Sequence, residues 1–406
     1  MSRGATEFHG VPLPFDSVAA DRFLAGVRNQ DPIVGLTHNF YRYPARFSPL
    51  FARSAIEAFS RPGDVVLDPF MGGATTLVEC RALGRHAAGN DVSSLSVFLA
   101  RAKATPLSDA DVGRVVDWVW GLPEHLNLHL PPIRAIDWHQ RGYQRSLPWP
   151  IRKTIELALA RLGGLSTRRQ QRFARCLLLK AGQWALDCRS RIPTAEEFRF
   201  KLFEFLESFA EGMRNFRLAV ADNPPPRQSH ALSVPVHCLA SELPTAEALA
   251  TLPKRPTLVV TSPPYPGVYV LYHRWKVRGR KETAAPFWVA DCQDGQGQAH
   301  YCFGHRKQDG LTSYFNGIRT SFAGVRQVVD ANAIVVQMVA FSEPDWQIPK
   351  FLESMSDAGF DEVMPDNLGI PVEGRLWRTV PGRRWFALIQ GDLATSQELV
   401  LFHRPR

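Results

Sequence analysis

Residues 64–84 restrict the fold more than any other stretch of the chain. After the Pro62-Gly63 turn, Asp64-Val65-Val66-Leu67 reads as a short buried strand, and Asp68-Pro69-Phe70-Met71-Gly72-Gly73-Ala74-Thr75-Thr76 follows it directly. A helical pattern then runs from about residue 75 to 83 and stops at Gly84, a residue suited to helix ends. Strand, glycine turn and helix in succession form half of a βαβ unit. Such units build an open, largely parallel sheet and bring backbone close to a nucleoside ligand at the carboxyl ends of the strands. NAD fits this turn poorly, because the Gly-x-Gly-x-x-Gly spacing is missing and Asp68-Pro69 puts negative charge where a pyrophosphate needs donors. The next strand, about residues 86–89, ends at Asn90-Asp91. A carboxylate there is placed to accept from ribose hydroxyls; the competing reading is a cap on the helix 93–102.

A second strand end carries reactive chemistry. In residues 258–265, LVVTSPPY, an apolar β run stops at a polar residue, two prolines and an aromatic. Neither Pro263 nor Pro264 has an N–H, so the strand ends there. The carbonyls of Ser262 and Pro263 and the Ser262 hydroxyl then form a rigid array dominated by acceptors, which suits an amine. Tyr265 adds a flat face for stacking a planar ring.

Thr261-Ser262-Pro263-Pro264-Tyr265 resembles the catalytic motif of amino-directed DNA methyltransferases, (Ser/Asn/Asp)-Pro-Pro-(Tyr/Phe). That resemblance implies methylation of an exocyclic base amine by S-adenosylmethionine, with Ser262, Pro263, Pro264 and Tyr265 as catalytic residues. The serine after threonine is more similar to the cytosine 4-amino enzymes than to the adenine 6-amino enzymes. Residues 68–76 resemble the family's Asp-Pro-Phe-x-Gly-Ser-Gly-Thr-Thr motif, with Gly73 in the serine place and Ala74 in the second glycine place, a departure that bears on cofactor affinity. Tyr43-Pro44-Ala45-Arg46-Phe47 is similar to a segment preceding that motif in one branch of the family. The resemblance implies that Tyr41, Tyr43 and Pro44 fold over the methionine end of the cofactor. It also implies contacts from Asp68, Pro69, Phe70, Gly72, Thr75, Thr76 and Asp91. The expected fold is α/β, a Rossmann-like class I methyltransferase sheet with an antiparallel terminal hairpin and a large helical insertion.

Three blocks follow: an N-terminal segment and cofactor half (1–105), a helical insertion (106–230) and a catalytic half (231–406). Apolar residues recur at helical spacing over 151–162, 170–186 and 195–218, and helices are also expected over 50–59, 314–329 and 347–358. Strands are expected at 234–239, 333–341, 384–390 and 398–403. Lysine and arginine exceed aspartate and glutamate by 48 to 39, which favours a polyanionic partner. The excess is concentrated: residues 134–191 hold 13 Lys or Arg against three acids. Arg168, Arg169, Arg172 and Arg175 lie at helical spacing along which a phosphate backbone can run, and Trp138, His139, Tyr143 and Trp149 add aromatics. After the catalytic motif, residues 272–281 interleave rings, Trp275 among them, with Arg274, Lys276, Arg278, Arg280 and Lys281, a pattern suited to an opened strand. The alternative for each stretch is a solvated basic face.

DNA is therefore the expected partner, with a separate cognate restriction endonuclease as a further candidate. The competing substrates are adenine in DNA, and RNA; a nucleic-acid-binding regulator that keeps the fold without catalysis is the rival from another class. Cys292, His300, Cys302 and His305 do not match paired zinc-ligand spacing, and no metal is expected. Six scattered cysteines form no secreted disulfide framework. Without a signal-peptide pattern or a membrane-length apolar run, a cytoplasmic protein is expected.

Overall fold

The computed structural model describes the chain outside residues 1–9, 12–16, 32, 44–47, 130–141, 227–230, 267–274, 280, 293–302, 304–307, 366–367, 369–374 and 380–396. The chain opens with β1 (Gly10–Val11), α1 (Ser17–Arg28) and α2 (Pro49–Phe59). The glycine turn lies between β2 (Val65–Asp68) and α3 (Thr75–Ala82), followed by β3 (His86–Asp91) and α4 (Ser94–Lys103). Four helices come next: α5 (Asp109–Gly121), α6 (Trp149–Ala160), α7 (Arg168–Leu186) and α8 (Ala195–Asp222). The sheet resumes with β4 (Ser233–His237) and β5 (Leu258–Thr261), and a small hairpin, β6 (Trp275–Val277) and β7 (Lys281–Thr283), leads into α9 (Ala285–Ala290). The remainder is α10 (Gln308–Val328), β8 (Ile334–Val339), α11 (Pro344–Asp357), β9 (Phe360–Pro365), β10 (Leu376–Thr379) and β11 (Gln397–Pro405).

Across the sheet the order is β1-β9-β11-β8-β5-β2-β3-β4. The run from β8 through β5, β2 and β3 to β4 is parallel, and β11 is antiparallel to β8, β9 and β10. This is the Rossmann-like sheet expected from the sequence, with its antiparallel terminal strand. β10 and β11 make the antiparallel terminal pair; the strand expected at 384–390 lies outside the described residues.

Successive strand residues face opposite sides of a sheet, and both sides here are apolar. Val66, Leu258, Val260 and Val336 join one buried cluster, while Leu67, Val259 and Val335 join the other. α10 and α11 cover the second face. The first face is covered by α2 and α3 and, in the same continuous cluster, by residues of α5–α8. Helices α5–α8 thus share one core with α2 and α3.

Local sequence explains where the long helices begin. Thr167 and Gln170 form a reciprocal capping box at α7, as Thr194 and Glu197 do at α8, each satisfying otherwise orphaned helix N–H groups. Among the described residues no helix is long and apolar enough to cross a membrane.

Candidate active site

β2 and β5 are neighbours at the centre of the sheet, registered Val66 to Leu258 and Leu67 to Val259. From β2 the chain proceeds outward through β3 to β4, then returns to β5 on the other side of β2. That reversal opens a crevice at the strands' carboxyl ends, where ligands of such sheets bind. Both motifs sit at this crevice, the glycine turn after β2 and the Ser-Pro-Pro-Tyr turn after β5.

Asp68 joins the two strand ends. Its Oδ1 accepts from Thr261 Oγ1 at 2.7 Å and from the Phe70 amide at 3.1 Å, and its Oδ2 accepts from Thr76 Oγ1 at 2.8 Å. Asp68 is 1% exposed; burial pushes its carboxyl up to about 6, opposed by the hydrogen bonds from Thr261, Thr76 and Phe70. Asp68 and Thr76 lie beneath the crevice as a brace that fixes the distance between the turns. Pro69 and Thr75 are also buried, while Phe70 is half-buried with its ring 6.1 Å from those of Phe303 and Phe322.

Above the brace, the Tyr43 ring packs closely on the glycine turn. Gly72 has φ +43°, and a Cβ there would meet the Tyr43 ring at 3.1 Å. Tyr43 is held by the Ser96 hydroxyl, which donates to it at 3.0 Å. Buried Lys103 donates from Nζ to the Gly73 carbonyl at 2.5 Å, bracing the turn from below. Asp91 accepts from the amides of Gly72 (2.9 Å) and Ser93 (2.8 Å). Burial raises its carboxyl to about 6, against the pull of those amides. Asp91 is nonetheless partly exposed and retains acceptor lone pairs. A side-chain-free turn beside a carboxylate acceptor fits a ribose-bearing ligand, S-adenosylmethionine, with these residues available to hold it. The bond from the Ser93 amide also ties Asp91 to the residue before α4, in line with the capping reading.

The second turn is tied to the far strand. Ser262 Oγ lies 3.2 Å from the Tyr265 hydroxyl, which donates to Glu398 Oε1 at 2.9 Å on β11. Arg378 of β10 closes the chain with Nε 2.8 Å from Glu398 Oε2. Pro263 is buried, whereas Ser262, Pro264 and Tyr265 are half-buried and reach the crevice. Neither Glu398 nor Arg378 stands out in the sequence; only the pairing of β10 with β11, Arg378 opposite Glu398, reveals them. Lys103 was equally hidden, as one cation among many at a helix end.

The other expected site residues divide sharply. Tyr41 is buried, and its hydroxyl accepts from Trp275 Nε1 at 3.0 Å, bolting its loop to the β6–β7 hairpin; burial raises its phenol far above the ordinary value. Trp275, expected as a ring for base stacking, is corrected by this contact: it is 1% exposed, seated against Gly182 of α7. Tyr143, likewise expected beside DNA, is buried against Phe287, while Trp149 is exposed. Lys276, Arg278 and Lys281 are exposed on the hairpin. Arg168 and Arg169 are exposed, whereas Arg172 and Arg175 are half-buried. Pro44, Trp138, His139, Arg274, Arg280, His300, Cys302 and His305 lie outside the described residues. Cys292 is half-buried, 3.6 Å from the Ser94 carbonyl.

Residues 25–98 match the model of a DNA methylase family. The Type II methyltransferase M.MvaI of Kocuria varians is 36% identical over 84 residues, 20% of this chain and 18% of the relative. The Type II methyltransferase M.MjaII of Methanocaldococcus jannaschii is 33% identical over 66 residues, 16% of this chain and 12% of the relative. The matched region thus spans less than a fifth of either relative. Among solved structures, the rRNA methyltransferase aviRa of Streptomyces viridochromogenes covers 96% of this chain and 93% of its own at 12% identity, with a TM-score of 0.35, too loose to build on. The segment matched by the family holds the Tyr43 loop, the brace, the glycine turn and Asp91, and over it the chain is similar to the amino-directed (N4/N6) DNA methyltransferases, a likeness that implies S-adenosylmethionine as methyl donor.

Proposed function

We propose that this protein methylates an exocyclic amino group of a base in DNA, the 4-amino group of cytosine. The observation that carries the reading is the Asp68–Thr261 hydrogen bond of 2.7 Å, which holds the acceptor-rich turn after β5 beside the glycine turn after β2. When bound, S-adenosylmethionine supplies an electrophilic methyl group on a sulfonium. The Ser262 hydroxyl and the Pro263 carbonyl accept from the target amine, freeing its nitrogen lone pair from the ring for in-line attack. Positioning is the main catalytic contribution, and no cysteine nucleophile is involved. Tyr265, anchored through Glu398, offers its ring to a base taken out of the stack, an extrusion that costs a few kcal/mol. Arg168, Arg169, Arg172 and Arg175 of α7, with Arg274, Lys276, Arg278, Arg280 and Lys281 after the catalytic turn, supply the charge that attracts the DNA backbone. A separate restriction endonuclease is the natural counterpart, and the cytoplasm the expected compartment.

The test is to incubate the protein with tritiated S-adenosylmethionine and unmethylated genomic DNA, then digest the DNA and identify the labelled nucleoside. Label in 4-methylcytosine supports the proposal. Label in 6-methyladenine keeps the mechanism but overturns the base assignment. Cofactor binding with no label in DNA points to an RNA substrate or to a regulator without catalysis.

A further inference from the structure

The basic residues of α7 do not form a simple exposed stripe. Arg168, Arg172 and Arg175 occupy one face at positions i, i+4 and i+7, and that face lines a cleft of about 540 Å³ whose opposite wall is α4. Arg101 of α4, a residue of the cofactor half, completes the arginine set, and His237 at the end of β4 closes one side. Among the described residues, Asp291 is the only carboxylate lining this cleft. It is already engaged by Arg175, whose guanidinium lies 3.1 Å from Asp291 Oδ2 and donates to the Val289 carbonyl at 2.9 Å.

Arg101, Arg168 and Arg172 make no ion pair among the described residues. Like charges at this spacing on a helix repel, and a partly desolvated guanidinium without a counter-charge is unfavourable. Burial first, then the charges of Arg101 and Arg168, lower the pKa of the Arg172 guanidinium, against the opposing pull of Cys292. A fold keeps such an arrangement where an anion completes it. Arginine forks match phosphate oxygens in geometry as well as charge.

We propose that the α4–α7 cleft is a phosphate site that grips a phosphodiester of the bound nucleic-acid strand, with Arg101, Arg168 and Arg172 as its ligands. The site joins the cofactor half to the helical insertion, so a strand held there is positioned relative to the glycine turn as well as attracted to the surface. The inference rests on the nucleic-acid reading above, but not on methyl transfer.

The experiment compares wild type with Arg101→Gln, Arg172→Gln and, as a control outside the cleft, Arg214→Gln, an exposed arginine of α8. Affinity for a fluorescein-labelled DNA duplex is measured by anisotropy between about 50 and 200 mM salt, where each lost phosphate contact lowers the slope of log affinity against log salt by about one. Arg101→Gln and Arg172→Gln are expected each to lose about one from that slope and to weaken binding several-fold, more than Arg214→Gln does. The second readout is thermal unfolding of the free protein. Arg172→Gln is expected to melt at or above the wild-type temperature, since it removes repulsion, whereas an arginine with a purely structural role would give a lower one. Added inorganic phosphate is expected to raise the wild-type melting temperature more than that of Arg172→Gln.

An unchanged salt slope in both cleft variants, or no DNA binding by wild type, would overturn the proposal. Stabilisation by inorganic phosphate without any change in DNA slope would overturn the strand assignment and mark the cleft as a site for a small phosphate ester. Arg101-dependent DNA binding without methyl transfer would leave the cleft standing while the catalytic reading fell.

Discussion

Ala74 occupies the left-handed region with φ +63°, where an L side chain carries roughly 1 kcal/mol or more of strain. The family motif has glycine at this place. Ala74→Gly would relieve the strain, but it would also loosen the unfolded chain by about 0.4–1 kcal/mol and remove a fully buried methyl. These effects oppose one another, so urea unfolding is expected to place the variant within about 1 kcal/mol of wild type; a larger loss would mean that the methyl is a packing requirement. Tyr265 separates ring from hydroxyl in a similar way. Tyr265→Phe keeps the stacking face and gives up the hydroxyl's hydrogen bonds to Glu398 and Ser262, so methyl transfer is expected to fall less than tenfold. Tyr265→Ala removes the face and lets the turn relax, and a loss of about 100-fold or more is expected, as for misplacement at a reacting centre. Single-turnover rates of the two variants decide it: equal losses would make the hydroxyl, rather than the ring, the functional part.

At the scale of elements, the β6–β7 hairpin is latched by shape. A Cβ on Gly182 would lie 2.5 Å from the Trp275 ring, and the ring cannot easily withdraw because it is buried and bonded to Tyr41. Gly182→Val is therefore expected to destabilise the protein by about 1–3 kcal/mol, the usual effect of overpacking. It should also weaken DNA binding more than cofactor binding, since the hairpin carries Lys276, Arg278 and Lys281. Equal effects on both ligands would argue for general unfolding instead. The hairpin also marks a limit of the sequence reading. Trp275 lies in a basic, aromatic run that looks like surface, and its burial depends on a glycine 93 positions earlier. Elements with strong local signals were legible: the glycine turn, the strand before the prolines, and helices α6–α8 from their apolar spacing. β9 was not, because its sequence Phe-Asp-Glu-Val-Met-Pro has two adjacent acids and a proline in place of a clean alternation and becomes a strand through pairing with β11. Tertiary pairing of this kind overrides propensity. The site divides in the same way: its turns are local and readable, while Asp68's bond to Thr261 and the Glu398–Arg378 anchor span partners far apart in sequence.

Over the whole molecule, three buried titratable groups set opposing responses to acid. Burial lowers His403 to about 3; its Nδ1 lies 3.1 Å from Gln337 Nε2 within the sheet. Its unfolded form takes up a proton near 6.5 while the native form does not, so its contribution to stability is lost as the pH falls from about 6.5 towards 3. Asp68 and Asp91 behave in the opposite sense. Their native carboxyls are held up at about 6 against an unfolded value near 3.9. Between these limits the native state binds more protons, and stability rises as the pH falls. Two raised carboxylates against one depressed imidazole leave a net gain over the window from about pH 6 to 4. Below it, protonation of ion-paired acids such as Asp361, whose carboxyl Arg406 holds below its ordinary value, reverses the trend. The melting temperature of the free protein is thus expected to increase on going from pH 7 to about 5. Cofactor binding should show the contrary dependence, because protonation turns Asp91 from an acceptor into a group with one donor. Titration with S-adenosylmethionine is accordingly expected to give weakening affinity below about pH 6, and Asp91→Asn should abolish that dependence. A free-protein melting temperature that falls monotonically below pH 7, together with pH-independent cofactor affinity, would show that the two carboxylates are not held up by burial.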